Sequence, residues 1–285
     1  MPDVLLRFVQ ISDTHLQPGI DHTQQPLLPV DENSPDPFVA TINQIIMASK
    51  RLAPPEDAAQ RIIAAINELP FDIDFVLHTG DIGFDVKTDD AYRQIKPLFD
   101  TCRFPIHFLP GNHDDSEAVQ RVLGEIDVPG ATYERIIPHE RVKIVCLDTS
   151  QDELSAQQLA WFREQVNDPQ DSRPLIVALH HNPVPLGSSF ADRVMLKQHD
   201  TFRDILRQHR TRLKGVFYGH LHTALTTVND GVAYYCCPGT WQQFDITPGV
   251  DETRGSNPAH TGGFNIITIT DTGASVRTIH PERTE

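Results

Sequence analysis

The chain has 285 residues, enough for one large α/β domain or two small ones, and either can bury a sizeable core. Its 24 Lys plus Arg against 39 Asp plus Glu give a net charge of −15, which argues against a general nucleic-acid or anionic-membrane surface. An anionic substrate would therefore need positive charge concentrated locally, and metal ions are one source of it.

In chain order, the apolar run "VLLRFVQIS" (4 to 12) predicts a first strand. Residues 17 to 55 follow, rich in Pro, Asp and Gln and too long for an ordinary connection, so they are expected to form an insertion or lid. One helix pattern lies inside them, with Phe38, Ile42, Ile45 and Ile46 on one side and "SPDP" as its start. It fits either a dimer face or a cover over a site. Then strands and helices alternate. Strands are expected in "FDIDFVLHTGD" (71 to 81), "PIHFLPGNHD" (105 to 114), "VKIVCLD" (142 to 148), "PLIVALHHN" (174 to 182) and "LKGVFYGHLH" (213 to 222). Amphipathic helices are expected over Ala58 to Leu69, Ala91 to Phe99, Ser116 to Leu123, Ser155 to Val166 and Phe202 to Gln208. After residue 222 the texture changes to short β runs separated by "NDG" and "DTG", which predicts a β meander. The whole reads as an α/β chain of two packed sheets with helices outside, in one domain over 1 to 285. A Gly/Pro-rich loop at 247 to 263 could border a site.

No apolar run approaches the roughly 18 residues of a membrane span, and Met1 to Gln10 lacks a signal core. A soluble, cytoplasmic protein without membrane partners is expected. Cys102, Cys146, Cys236 and Cys237 show no zinc spacing, and the adjacent pair would strain a disulfide, so buried reduced thiols are expected.

The strand ends carry the chemistry. The first run stops at Asp13 and His15, the second at Asp81, the third at Asn112, His113 and Asp114; later ones stop at His180 and His181, and at His220 and His222. Taken singly, a strand-end Asp is a helix cap and a Gly-Asn pair a turn. Five runs ending in oxygen and imidazole donors are a different matter, because the carboxyl ends of strands in α/β sheets form the crevice where ligands gather. His220 and His222 are two apart, so in extended chain both point to one side, about 7 Å apart at the backbone. That spacing alone fits one ion, two ions or none.

Asp13-x-His15, Gly80-Asp81, Gly111-Asn112-His113-Asp114, His180 and Gly219-His220-x-His222 resemble the full signature of the calcineurin-like metallophosphoesterases, in that family's order. The resemblance implies a four-layer α/β/β/α sandwich of two mixed sheets flanked by helices. It also implies two metal ions per chain. One would be held by Asp13, His15 and His222, the other by Asn112, His180 and His220, with Asp81 bridging; Mn, Fe, Zn and Co all suit this donor set. Hydroxide formed between the ions would attack phosphorus in line, and His113 would assist the leaving group. His181 and His260 are candidate substrate contacts, and Asp114 either orients a neighbour or caps a helix.

Departures within the family narrow the substrate. Protein phosphatases carry an Asp three residues after the bridging one, and purple acid phosphatases a ligand tyrosine there; this chain has Phe84. "QISDTHL", "TGDIGFD", "PGNHDD", "ALHHNPVPLG" and "GHLHT" resemble the class III cyclic-nucleotide phosphodiesterase and glycerophosphodiesterase branch. The expected activity is hydrolysis of small anionic phosphodiesters, 3',5'-cyclic nucleotides first. The alternatives are a phosphatase of glycerophosphodiesters, phosphomonoesters or nucleotide-linked pyrophosphates, and a scaffold without catalysis. Homo-oligomerisation is left open.

Overall fold

The computed structural model describes residues 2–19, 21, 36–85, 87–249 and 262–281. Most of the loop expected at 247 to 263, His260 included, and residues 22–35 of the expected lid lie outside the described residues.

Two mixed sheets pack face to face. The first has five strands in the order β11-β10-β1-β2-β3, from β1 (Val4–Ile11), β2 (Phe75–Thr79), β3 (Ile106–Leu109), β10 (Phe264–Thr270) and β11 (Ala274–Ile279). The second has six in the order β4-β5-β6-β7-β9-β8, from β4 (Arg135–Ile137), β5 (Lys143–Cys146), β6 (Leu175–Ala178), β7 (Leu213–Tyr218), β8 (Leu225–Asn229) and β9 (Val232–Cys236). β1, β2 and β3 run parallel, as do β5, β6, β7 and β9, so the ends that carry the motifs emerge together at one edge of the sandwich.

The period-2 alternation of the strands decides which residues meet. Leu6 and Phe8 of β1, Phe75 and Leu77 of β2, and Ile176, Ala178 and Phe217 of the other sheet fill the space between the sheets. Val9, Ile11 and Val76 point the other way, onto α2 (Pro55–Asn67) and α3 (Asp89–Phe99). On the far side, Val177, Val216 and Tyr218 meet Phe162 of α5 (Ala156–Asn167), Phe202 of α7 (His199–Arg207) and Ile45 of α1 (Pro37–Ser49). The helix expected over 38 to 46 thus exists and packs its apolar side onto this core.

Two expectations need correcting. The C-terminal strands do not form one meander: the β8-β9 hairpin joins β7, whereas the β10-β11 hairpin crosses to the other sheet and pairs antiparallel with β1. Turn signals mark hairpins but carry no information on which sheet edge receives them. The pattern at 116 to 123 is also not one α-helix. A short α4 (Ser116–Ala118) continues as a π-helical turn over Val119–Leu123, which still buries Val119, Val122 and Leu123. A five-residue helix, α6 (Ser189–Arg193), was too short for periodicity to reveal. Among the described residues no helix is long and apolar enough to cross a membrane, and all four cysteines are free.

Candidate metal centre

All five strand ends arrive at one place. Asp13 and His15 follow β1, Asp81 follows β2 and Asn112 follows β3, while His180 follows β6 and His220 and His222 follow β7, so both sheets contribute donors. Asp13, His15, Asp81 and His222 form one group of buried donors, and Asp81, His180 and His220 another; within each group the donor atoms lie within 4.8 Å of one another. Asn112 joins the second through its Oδ1, 3.2 Å from His180 Nε2. Only Asp81 belongs to both groups.

The backbone is bent to achieve this. Asp13, His15, Asp81, His220 and His222 all have φ between 47° and 67°, the left-handed region that costs a non-glycine residue about 1–3 kcal/mol. Cross-strand hydrogen bonds hold the bends: Asp13 and His15 donate to the carbonyls of Gly80 and Asp81, each at 3.0 Å, and the His220 N–H donates to the Asp13 carboxylate at 3.1 Å. Gly80 is required beside them, since at φ 103° a Cβ would lie 2.4 Å from His180 Nδ1. At Gly111 a Cβ would lie 2.2 Å from Asp81 Oδ1.

The protonation pattern shows that the residues fit cations. His180 Nδ1–H donates to the Thr79 carbonyl at 2.8 Å, which leaves a lone pair on Nε2 in the neutral ring. That nitrogen faces Asp81 Oδ2 at 3.3 Å, Asn112 Oδ1 at 3.2 Å and His220 Nδ1 at 3.2 Å. His222 repeats the arrangement: Nδ1–H donates to the Gln242 carbonyl at 3.0 Å, and Nε2 faces Asp13 Oδ1 at 3.3 Å and His15 Nε2 at 3.0 Å. Acceptors aimed at acceptors in a buried site demand positive charge between them. Burial pushes His15 and His220 down to about 3, so they are neutral donors at pH 7. Burial also disfavours charge on His180, but the Asp81 carboxylate outweighs it and raises the ring to about 9, a proton meeting the demand that a metal ion would meet.

Beside the second group stands His113, half-buried, matched to no ligand position. Its Nδ1–H donates to Asp85 at 3.0 Å and its ring stacks on Phe84 at 4.4 Å between centroids. Burial opposes its charge, yet Asp81 and Asp85 prevail and raise its pKa. Position 84, where relatives carry a carboxylate or tyrosine, gave no hint of Asp85; its left-handed backbone, φ 52°, brings its own carboxylate to His113. The motif "GDIGFD" contained the signal, but only the fold pairs it with His113.

Asp114 proves to be a clasp rather than a cap. It accepts from the N–H groups of Ile82, Gly83 and Gly111 at 2.9–3.0 Å and from the Tyr92 hydroxyl at 2.8 Å, tying the Asp81 loop to the Asn112 loop. The cap of α4 is Asp115, which accepts from Ala118 N at 2.8 Å. The buried Asp114 carboxyl is raised to about 6, by desolvation first and then by Asp81. His181, expected at the rim of the site, is 2% exposed; its ring packs 4.3 Å from that of His220 and its Nδ1 meets the Thr149 hydroxyl at 3.1 Å. A β-strand alternation continued past Ala178 would have turned it outward, but the strand ends there and the chain folds inward. Leu221, between the two histidines of β7, is fully buried in the core that α1 joins.

The family model described as calcineurin-like phosphoesterase matches residues 6–224. A 3',5'-cyclic adenosine monophosphate phosphodiesterase CpdA of Pseudomonas aeruginosa is 29% identical over 177 residues, which cover 60% of this chain and 62% of that protein. A cAMP/cGMP dual specificity phosphodiesterase of Mycobacterium tuberculosis is 27% identical over 237 residues, covering 79% of this chain and 73% of that one. Among solved structures, a dimetal phosphatase from Danio rerio superposes with a TM-score of 0.62 at 13% identity, over 98% of this chain and 100% of the other, a likeness of fold.

Proposed function

From the premise that the chain belongs to the calcineurin-like phosphoesterase family, we propose that it is a binuclear metal-dependent phosphodiesterase acting on 3',5'-cyclic nucleotides. One observation carries the reading: two buried donor groups share the single carboxylate of Asp81, with the His113–Asp85 pair on their open side. The names of the relatives support the substrate, and the net charge of −15 makes local cations the means of attracting it.

Asp13, His15 and His222 would hold one ion, Asn112, His180 and His220 the other, and Asp81 both. Two such ions supply Lewis acidity toward the phosphoryl oxygens and lower the pKa of water enough for attack at neutral pH. The chain's own residues do the rest. Asp85 fixes the His113 ring by accepting from Nδ1–H, which leaves Nε2 to serve the leaving oxygen. The raised pKa keeps a proton on His113 near neutrality, and the departing ribose oxygen takes it as the P–O bond breaks. Phe84, stacked on the same ring, prevents it from turning away. Asp114 keeps the loops of Asp81 and Asn112 at fixed spacing, so the carboxylate and amide donors stay in place.

The test is turnover by the Mn-reconstituted protein of bis(p-nitrophenyl) phosphate against the p-nitrophenyl monoester, followed by cyclic AMP, cyclic GMP, 2',3'-cyclic nucleotides and glycerophosphodiesters. Diester should exceed monoester turnover, and cyclic AMP or cyclic GMP should lead the panel. Equal or greater monoester turnover would sink the diesterase reading, and a glycerophosphodiester in the lead would sink the nucleotide.

A further inference from the structure

His222 is held by more than its strand. Its ring Nδ1–H donates to the Gln242 carbonyl, its carbonyl accepts from Phe244 N at 3.1 Å, and the Phe244 ring lies almost parallel to its imidazole, 4.1 Å away at 6°. Gln242 and Phe244 therefore hold the imidazole on its edge and on one face. What grips those residues in turn is α1 and the turn after it. Gln242, only 5% exposed, donates from Nε2 to the Ile45 carbonyl at 2.9 Å, and Trp241 Nε1–H donates to the Ala53 carbonyl at 2.8 Å. Phe244 meets Phe190 edge-on, and Phe190 stacks on Phe38 of α1 at 5.5 Å.

The second donor group has no such dependence. His180 sends its Nδ1–H to the Thr79 carbonyl, at the end of β2 inside the sandwich. His220 is fixed through its N–H by Asp13. Neither of these bonds involves α1.

We infer that α1 and the 241–244 segment form a brace that sets the His222 imidazole for its ion, making Gln242 and Phe244 positioning residues for one of the two metal sites only. The inference rests on the two-ion reading above and adds a role for α1, which the sequence presented as a dimer face or a cover over a site. The physical reason is orientation: the carbonyl partner of a ligating imidazole fixes its tautomer and ring plane, and losing such a partner costs about 10–100-fold in metal affinity. Here that partner is a backbone carbonyl whose position depends on a side-chain bond to a helix outside the sheets.

The probe is Mn²⁺ alone, titrated calorimetrically into chelator-stripped protein, with thermal unfolding of the metal-free form alongside. Wild type should bind two equivalents. Gln242→Leu and Phe244→Leu should each weaken one equivalent about 10-fold or more and leave the other within about twofold, with the metal-free melting temperature little changed. Trp241→Phe removes the indole N–H donor and keeps a smaller aromatic ring in place, so it gives a milder loss of the same equivalent should a Leu variant fail to fold. Both equivalents unchanged in all variants would overturn the brace while diester turnover still upholds the two-ion reading. Both weakened equally together with a fall in melting temperature would overturn it too, as general destabilisation. Wild type binding no Mn²⁺ would overturn both the brace and the reading beneath it.

Discussion

The two donor groups both combine imidazoles with the Asp81 carboxylate and face different surroundings. Asp13, His15 and His222 are at most 4% exposed, closed in by Phe244, Trp241 and the brace from α1. Around His180 the site opens: His220 and Asn112 are half-buried, His113 is half-buried, and Asp85 lies at the surface. The enclosed group suits retention of an ion, because donors already out of water lose little more when they bind it. On the proposed reading the open group suits exchange, since solvent there would give way to a phosphoryl oxygen beside His113. Enclosure and access are thus divided between two donor groups that meet at one carboxylate.

Asp81 is where that division can be broken outright. Asp81→Ala removes the carboxylate common to both groups, so both Mn²⁺ equivalents should weaken by more than the roughly 100-fold typical of losing an outer partner, and turnover should fall to background. Retention of one tight equivalent, measured calorimetrically, would show that the groups do not share it.

The next effect tests the open side alone. His113→Ala should lower cyclic-nucleotide turnover roughly 10²- to 10⁴-fold, the usual worth of a positioned proton donor, and leave both metal equivalents intact. With p-nitrophenolate, which departs without a proton, the loss should shrink. Asp85→Asn should act in the same leaving-group-dependent direction but less, because it disturbs the ring's orientation and charge rather than removing the ring. Full activity of His113→Ala on a poor leaving group would remove the residue from the mechanism.

How much of this was legible in the sequence depends on how local each feature is. The residues that cluster at the candidate site were legible because each motif sits where an apolar run stops, and "GHLH" or "GNHD" is complete within a few residues. The two sheets and most helices followed from periodicity. What stayed hidden depends on contacts across the fold. Asp85 becomes His113's partner only after a left-handed turn, Gln242 reaches Ile45 across 197 residues of chain, and the destination of the β10-β11 hairpin is set by the free side of β1. Asp114 and Asp115 are neighbours of the same type, and only the geometry separates the clasp from the cap. His181 next to His180 shows the same limit: strand alternation stops being a guide where the strand stops.

The smallest expected effect sharpens the enclosed side, through the residue beneath it. His78 is fully buried; it accepts from Gly80 N at 3.3 Å on Nδ1 and so donates from Nε2 to the Thr14 hydroxyl at 3.0 Å, which in turn donates to the Ile82 carbonyl at 2.8 Å. This chain of bonds holds the loop of Asp13 and His15 against the loop of Asp81, and it requires a neutral imidazole. Burial, the largest influence, lowers its pKa from 6.5 to about 3. The unfolded chain therefore takes up a proton below pH 6.5 that the folded chain refuses until about pH 3, so this group's contribution is intact above 6.5 and is lost as pH falls toward 3. At pH 5 the loss from this one group amounts to about 2 kcal/mol. His78→Gln can make the same two hydrogen bonds without titrating. In metal-free protein, urea unfolding at pH 7 and pH 5 should show a stability drop in wild type larger by about that amount than in the variant. Equal drops in the two would mean that His78 is protonated in the folded state, and that the enclosed side is held by something other than this neutral bridge.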